Sequence, residues 1–181
     1  MRHGITRLLL GEYQFLEVSE DRFAQLVDAR RNVLESLYIE EKFTYLIDNY
    51  WDLEIEALAN TARNATLPFR RSSEVIADIH LFNRRIINLL TTSRLYIDHT
   101  PHHLTAIFGD NSPEEQQFKS RRSTHYDNSL SYRLLEALRN YVQHRGLPLS
   151  GLRRNHRLTD PGKSNSFCVH SIQLGCATTD R

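Results

Sequence analysis

Cysteine is almost missing from this chain: Cys168 and Cys176 are the only two in 181 residues. Two thiols eight positions apart make no disulfide framework, so free thiols are the expectation. Glycine and proline are also sparse, and neither occurs between Ser19 and Leu67. That stretch therefore holds no residue that would stop a helix. Long apolar runs are absent too. Nothing approaches the roughly 20 residues of a membrane span. The apolar run in MRHGITRLLLGEY is too short for a signal peptide and is interrupted by Glu12, so a cytoplasmic protein is expected, with no membrane partner. Neither GxGxxG, a P-loop, CxxC nor HExxH occurs. The sequence thus gives no sign of a nucleotide cofactor or of a catalytic serine or cysteine.

What is present is helical periodicity and an uneven charge. A chain of this length is one domain by prior, large enough to bury a core. The net charge is only +1. Ser19 to Leu67 nevertheless carries ten acids against five bases, net −5, while Lys119 to Arg157 carries nine bases against two acids, net +7. A basic third suits a polyanion such as RNA; it equally suits docking onto the acidic helices of the same bundle.

Residues 1–18 form an arm that is either a short strand or packed coil. Ser19 is placed to cap a helix, with Glu20 and Asp21 in the first turn where the dipole favours acids. Phe23, Leu26, Val27, Leu34 and Leu37 mark one apolar stripe; Phe43, Leu46, Ile47, Tyr50, Ala57 and Leu58 mark a second. A single helix over this stretch would exceed about 60 Å, so a break near Tyr38 to Glu41 is expected. Thr66-Leu67-Pro68 ends this arm. Ser72 or Ser73 then caps a helix running to about Asp98, whose Val75, Ile79, Phe82, Ile86, Leu89 and Ile97 alternate four–three like a coiled-coil seam. The segment His99-Thr100-Pro101-His102-His103 should break it. Ser112, Pro113 and Glu115 read as a capping box opening a short polar helix to about Ser123. Tyr126 to Ser129 turns into the last helix. Residues 152–181, rich in Ser, Thr, Asn, Arg and Gly, form a flexible or partly β tail with one strand-like run, Phe167 to Leu174.

The last helix ends in LLEALRNYVQHRGLPLSG, Leu134 to Gly151. Leu130, Leu134, Leu135, Leu138, Tyr141 and Val142 recur at helical spacing as an apolar stripe, and Gly146 and Pro148 stop the helix. At about 100° per residue, Arg133, Asn140 and His144 fall within roughly 40° of one another, and Arg139 lies about 140° from His144. Arg139-Asn140-x-x-x-His144 resembles the Arg-x(4–6)-His signature of the HEPN superfamily, in which the residue after Arg is commonly Asn, Asp or His. A second pairing, Arg94 to His99, matches less well because Leu95 follows the arginine and Thr100-Pro101 lies close by.

The resemblance implies an all-α, HEPN-like antiparallel bundle of four to five helices over residues 1–151, with a short N-terminal arm and an irregular tail. It also implies a homodimer and a metal-independent endoribonuclease, acting as a toxin or antiviral effector beside an antitoxin or another defence-system partner. Arg139, Asn140 and His144 would be the catalytic residues; Arg133 and Arg145, in the same basic stretch, are read as RNA contacts. Cleavage without a metal needs a base for the 2′-hydroxyl, an acid for the leaving 5′-oxygen and a cation for the transition state. Histidine suits the first two and arginine the third. One protomer offers one such histidine, so a composite dimer site is implied, giving 2′,3′-cyclic phosphate and 5′-hydroxyl ends. Where some HEPN proteins have His-x-Tyr, with a modified tyrosine, Arg145-Gly146 follow His144 here.

Each residue also has a plainer reading. His144 can serve the helix dipole, Arg139 can pair with Glu136 or Glu35, and Asn140 can be a surface residue. His99, His102 and His103 suggest a metal only weakly, without a placed fourth ligand. The alternatives are a non-catalytic HEPN-like module that binds RNA or protein, and an unrelated bundle that mediates assembly.

Overall fold

The computed structural model describes residues 3–66, 71–157 and 169–175. Four helices make up most of it: α1 (Glu20–Thr66), α2 (Ser72–Phe108), α3 (Pro113–Asn128) and α4 (Leu130–His144). Two antiparallel hairpins flank them, β1 (Gly4–Leu9) with β2 (Glu12–Glu17), and β3 (Gly151–Arg157) with β4 (Val169–Gly175). The arm is therefore a strand pair rather than coil. Its register runs from Gly4 opposite Glu17 to Leu9 opposite Glu12. The turn needs Gly11, whose φ of 87° is one that a side chain disfavours. Part of the tail is β as well. Cys168 and Cys176 lie outside the described residues.

The caps form where the side chains allow. Ser19 Oγ accepts from Arg22 N–H, Ser112 Oγ from Glu115 N–H and Ser129 Oγ from Tyr132 N–H. The expected capping box does not close on Ser112: the Glu115 carboxylate accepts instead from the N–H of Asn111, one residue before the cap, at 3.0 Å. A hydrogen bond from Lys119 is the main reason its carboxyl lies below the usual carboxylate range. The α2 cap differs from expectation. Arg71 is the cap residue, and the Glu74 carboxylate accepts from its backbone N–H at 3.2 Å.

Two expected breaks do not occur. α1 runs unbroken for 47 residues, about 70 Å, because Tyr38 to Glu41 contains nothing that opposes helix and α2 supports this stretch. α2 passes straight through Pro101 to Phe108. Proline removes one N–H and normally kinks or ends a helix. Here α2 is gripped on both sides of it by α1: Phe43 meets Tyr96 at 5.7 Å, and Glu35 and Lys42 hold the two nitrogens of His103 at 2.6 and 3.0 Å. The Gly109 turn, with φ 91° and its N–H on Thr105 O, ends α2 instead.

α1 and α2 form a long antiparallel hairpin; Asp52 pairs with Arg85 while Glu35, further up α1, meets His103, further down α2. α3 and α4 pack on α2 and on each other. The core is Phe82, Ile86, Leu90 and Leu149, with Leu53, Ala57, Leu138, Val142 and Leu152 packed against it. Leu149 reaches it through an unusual clasp. The buried Asn83 amide donates to Leu149 O at 3.0 Å and accepts from Leu149 N–H at 2.8 Å.

Replacing Asn83 with alanine orphans both backbone groups and should cost roughly 2–4 kcal/mol. Urea unfolding should show a lower midpoint at unchanged slope; a wild-type midpoint would mean that the clasp does not hold the α4 end.

Candidate functional site

α4 begins at its Ser129 cap and ends after His144, with Arg145 and Gly146 N–H both on Tyr141 O. Gly146 does not take a left-handed φ. The helix stops instead because the chain turns inward: Pro148 and Leu149 are buried, and Asn83 holds Leu149. The stripe expected to be buried is split. Leu138 and Val142 face the core, whereas Leu130, Leu134 and Leu135 are 64%, 59% and 48% exposed.

The predicted site residues are split in the same way. Arg133, Asn140, His144 and Arg145 are exposed, and Arg139 is half-buried. Arg139 Nη1 donates to Asn140 Oδ1 at 3.1 Å. Glu136 and Glu35 are engaged elsewhere, by Arg94 and His103, so the pairings considered for Arg139 are not made. Arg139 and Asn140 are thus joined. His144, about 140° round the helix from Arg139, is not brought to it within the protomer. It lies on the outer face with Asn140, Arg133, Leu130 and Leu134.

Arg139 lines a cleft of about 580 Å³ between α2, α3 and α4. Leu46, Leu90, Ile97 and Leu135 are its aliphatic lining, and Tyr96, Phe118 and Tyr132 its rings. Arg94, Arg121, Arg122 and His125 share the cleft. Arg94 is compensated by Asp98 at 2.6 Å, an ion pair without hydrogen-bond alignment, and by Glu136 at 3.4 Å. A smaller groove of about 180 Å³ is lined by Arg94, His99 and Arg139, which brings both motif arginines and His99 together without His144.

Sequence reasoning missed the contribution of α3. Phe118, Arg121, Arg122 and His125 recur at spacings of three and four, which sets one face of a helix toward a neighbour; that periodicity was the available signal. His125 in the larger cleft and His99 in the smaller groove, not His144, are the imidazoles that share a cavity with Arg139. Of the central histidines, His99 and His102 are exposed while His103 serves Glu35 and Lys42. Among the described residues no cluster of three or more His, Cys, Asp or Glu could hold a metal ion, and no helix is long and apolar enough to cross a membrane.

No protein-family model, curated protein or solved structure matches this chain. Whatever it does must be argued from its own residues.

Burial raises the phenol of Tyr132 above its ordinary value, with Glu136 adding to the shift; burial raises Tyr96 as well, with Glu40 adding. Below the unfolded value of 10.0, both phenols are neutral whether the chain is folded or not. Above it the unfolded chain releases its protons first, so stability should fall as pH rises through the folded pKa. The urea midpoint should drop in this alkaline window, and Tyr132→Phe should remove part of the slope. An unchanged slope in that variant would show that the fold does not perturb the Tyr132 phenol.

Proposed function

We propose that the chain is a HEPN-like, metal-independent endoribonuclease of the cytoplasm, working as a homodimer and serving as a toxin or antiviral effector. The observation that carries this reading is the end of α4, where Arg139 donates to Asn140 while His144 stays open to solvent one turn on. The bond presents the amide and the guanidinium as a unit. The exposed imidazole is free to move a proton. Arg133 and Arg145, exposed on the same helix and just beyond it, supply cations for a phosphate backbone.

Two-proton chemistry requires a second imidazole, and the outer face of α4 suggests its source. Leu130 and Leu134 flank Arg133, Asn140 and His144 on that face, and both are more than half exposed. Leucines so placed bury favourably against a copy of themselves across a two-fold axis. Such pairing would set two His144 side chains in one groove, each with its own Asn140. An antitoxin or another defence-system partner would then act by covering the groove.

A second reading, a non-catalytic HEPN-like module binding RNA or protein, is favoured by one specific observation. Arg139 turns into the cleft of its own protomer, away from His144. In that case the cations bind a chain without cutting it.

Purified protein incubated with single-stranded RNA and EDTA should yield 2′,3′-cyclic phosphate ends. His144→Ala and Arg139→Ala should each lower the rate about a hundredfold or more, the ordinary scale for losing an acid–base or charge-stabilising group. Cleavage that survives both changes would place the reaction elsewhere. RNA retention without any cleavage would favour the binding module.

A further inference from the structure

α1 has two apolar sides, and the fold uses one of them. Leu53 and Ala57 pack on the core, and Glu35 and Lys42 meet His103 of α2, all from one side of the helix. At about 100° per residue, Val33, Leu37, Trp51, Ile55 and Leu58 fall within roughly 60° of one another on the opposite side. They are between 47% and 69% exposed and run along about 38 Å of helix. So narrow and straight a stripe has the form of a coiled-coil seam without its second helix. α3 and α4, which pack on α2 and on each other, leave it open. The basic third of the chain therefore does not dock on this acidic helix within the protomer.

Charge decides what can cover the stripe. Glu40 and Asp48 lie within it, between Leu37 and Trp51, and both are exposed. Elsewhere on α1, Asp28, Glu35, Asp52 and Glu56 are engaged by Arg31, His103, Arg85 and Arg63. Glu40 and Asp48 are in no ion pair among the described residues. Glu41 and Glu54 add negative charge on either flank. Such a face repels RNA and an anionic membrane surface. A purely apolar partner would bury both acids unpaired, which is costly. A second copy does no better. Any two-fold pairing that overlaps the whole stripe gathers Glu40 and Asp48 of both copies into its middle third, four carboxylates in all.

We propose that the outer side of α1 docks a basic amphipathic helix of a partner protein. Apolar residues of that helix, at spacings of three and four, cover Val33, Leu37, Trp51, Ile55 and Leu58. Its lysines or arginines answer Glu40, Asp48 and the acids that flank them, so charge sets the choice of partner while the stripe supplies the burial. The nuclease reading is not needed for this, because the residues it uses lie on α4 or just beyond it.

Trp51 is the one tryptophan in the chain, so its fluorescence reports on this face. The probe is a synthetic four-heptad peptide without tryptophan, with leucine at a and d and lysine at e and g, about 42 Å long as a helix. A second peptide has glutamate in place of lysine. Titrated into the full chain, the lysine peptide should shift Trp51 emission to the blue and saturate at one peptide per protomer. The glutamate peptide should bind about tenfold more weakly or worse. Ile55→Lys should weaken the lysine peptide by a similar factor. Glu40→Lys combined with Asp48→Lys should reverse the preference between the two peptides, and circular dichroism should confirm that these variants are folded. Absence of a saturable shift overturns the proposal, as does equal affinity for the two peptides or a preference that the double charge reversal leaves in place. Self-association lost in Ile55→Lys by light scattering overturns it too, since the stripe would then hold a second copy. The two readings fail separately. A protein that takes the lysine peptide but cuts no RNA leaves the docking face standing alone, whereas one that cuts RNA through His144 and ignores the peptide leaves only the nuclease.

Discussion

The geometry of the site region depends on the clasp between Asn83 and Leu149. A side-chain amide in the middle of α2 takes the place of a neighbouring strand, satisfying both backbone groups of a residue just past the end of α4. Buried backbone groups without partners are costly, so the clasp settles where this segment can run. It also draws Leu149 into the cluster of Phe82, Ile86 and Leu90. α4 itself has no fully buried residue. Without that anchor, only Leu138, Val142 and a few half-buried neighbours would hold it to α2. The cleft beneath Arg139 is the space left when α4 is pinned at its C-terminal end and α3 fills in beside its start.

The division of α4 into two working faces follows from this. Pinning the helix by residues 138, 142 and 149 turns Tyr132, Leu135, Glu136 and Arg139 toward α3, and turns Arg133, Asn140 and His144 outward. An arginine and a histidine five positions apart cannot share a side of one helix. The Asn140 amide is the link, touching Arg139 while exposed beside His144. A motif that looks like one catalytic unit in the sequence is therefore two surfaces in the fold, and any single reaction using both must span them with substrate or a second subunit.

Much of the helical body was legible because its signals are local. Ser19 and Ser112 with Pro113 mark helix starts that the structure honours, and the turn through Ser129 opens α4, whereas Glu115 bonds Asn111 rather than closing a box on Ser112. The α2 seam is legible for the same reason: Phe82 and Ile86 are buried, and Val75, Ile79, Leu89 and Ile97 half-buried. What misled was the use of local rules where tertiary contacts decide. Pro101 ought to end α2, but Tyr96 and His103 are gripped from α1 on either side of it. Length alone suggested a break in α1, yet an antiparallel partner lets a helix extend as far as its own chemistry allows. The cleft was illegible for another reason. It joins α1 and α2 to α3 and α4, and no periodicity within one segment shows which faces will meet. The strand pair at residues 4–17 lacked an Asn-Gly turn signal and relies on Gly11 instead.

The makeup of the interior bears on why so much apolar surface stays outside. Among the described residues, four apolar side chains besides Pro148 are buried, against seven polar or charged ones: Asn60, Asn64, Asp78, Asn83, Thr100, Ser112 and Glu115. Buried polar groups mainly secure geometry once they are paired; they contribute little net stability beyond the desolvation they offset. Meanwhile Trp51, Ile55 and Leu58, three to four residues apart on α1, are each more than half exposed, as are Leu130 and Leu134 on α4. A helical hairpin about 70 Å long with so small a core leaves hydrophobic free energy unused, and burying these stripes is the most direct way to gain it. The stripe on α4 runs beside Asn140 and His144, whereas that on α1 has no candidate catalytic group near it in sequence. If copies pair, the α4 stripe is the one whose burial also completes a site, so in the proposed dimer association and chemistry draw on the same leucines.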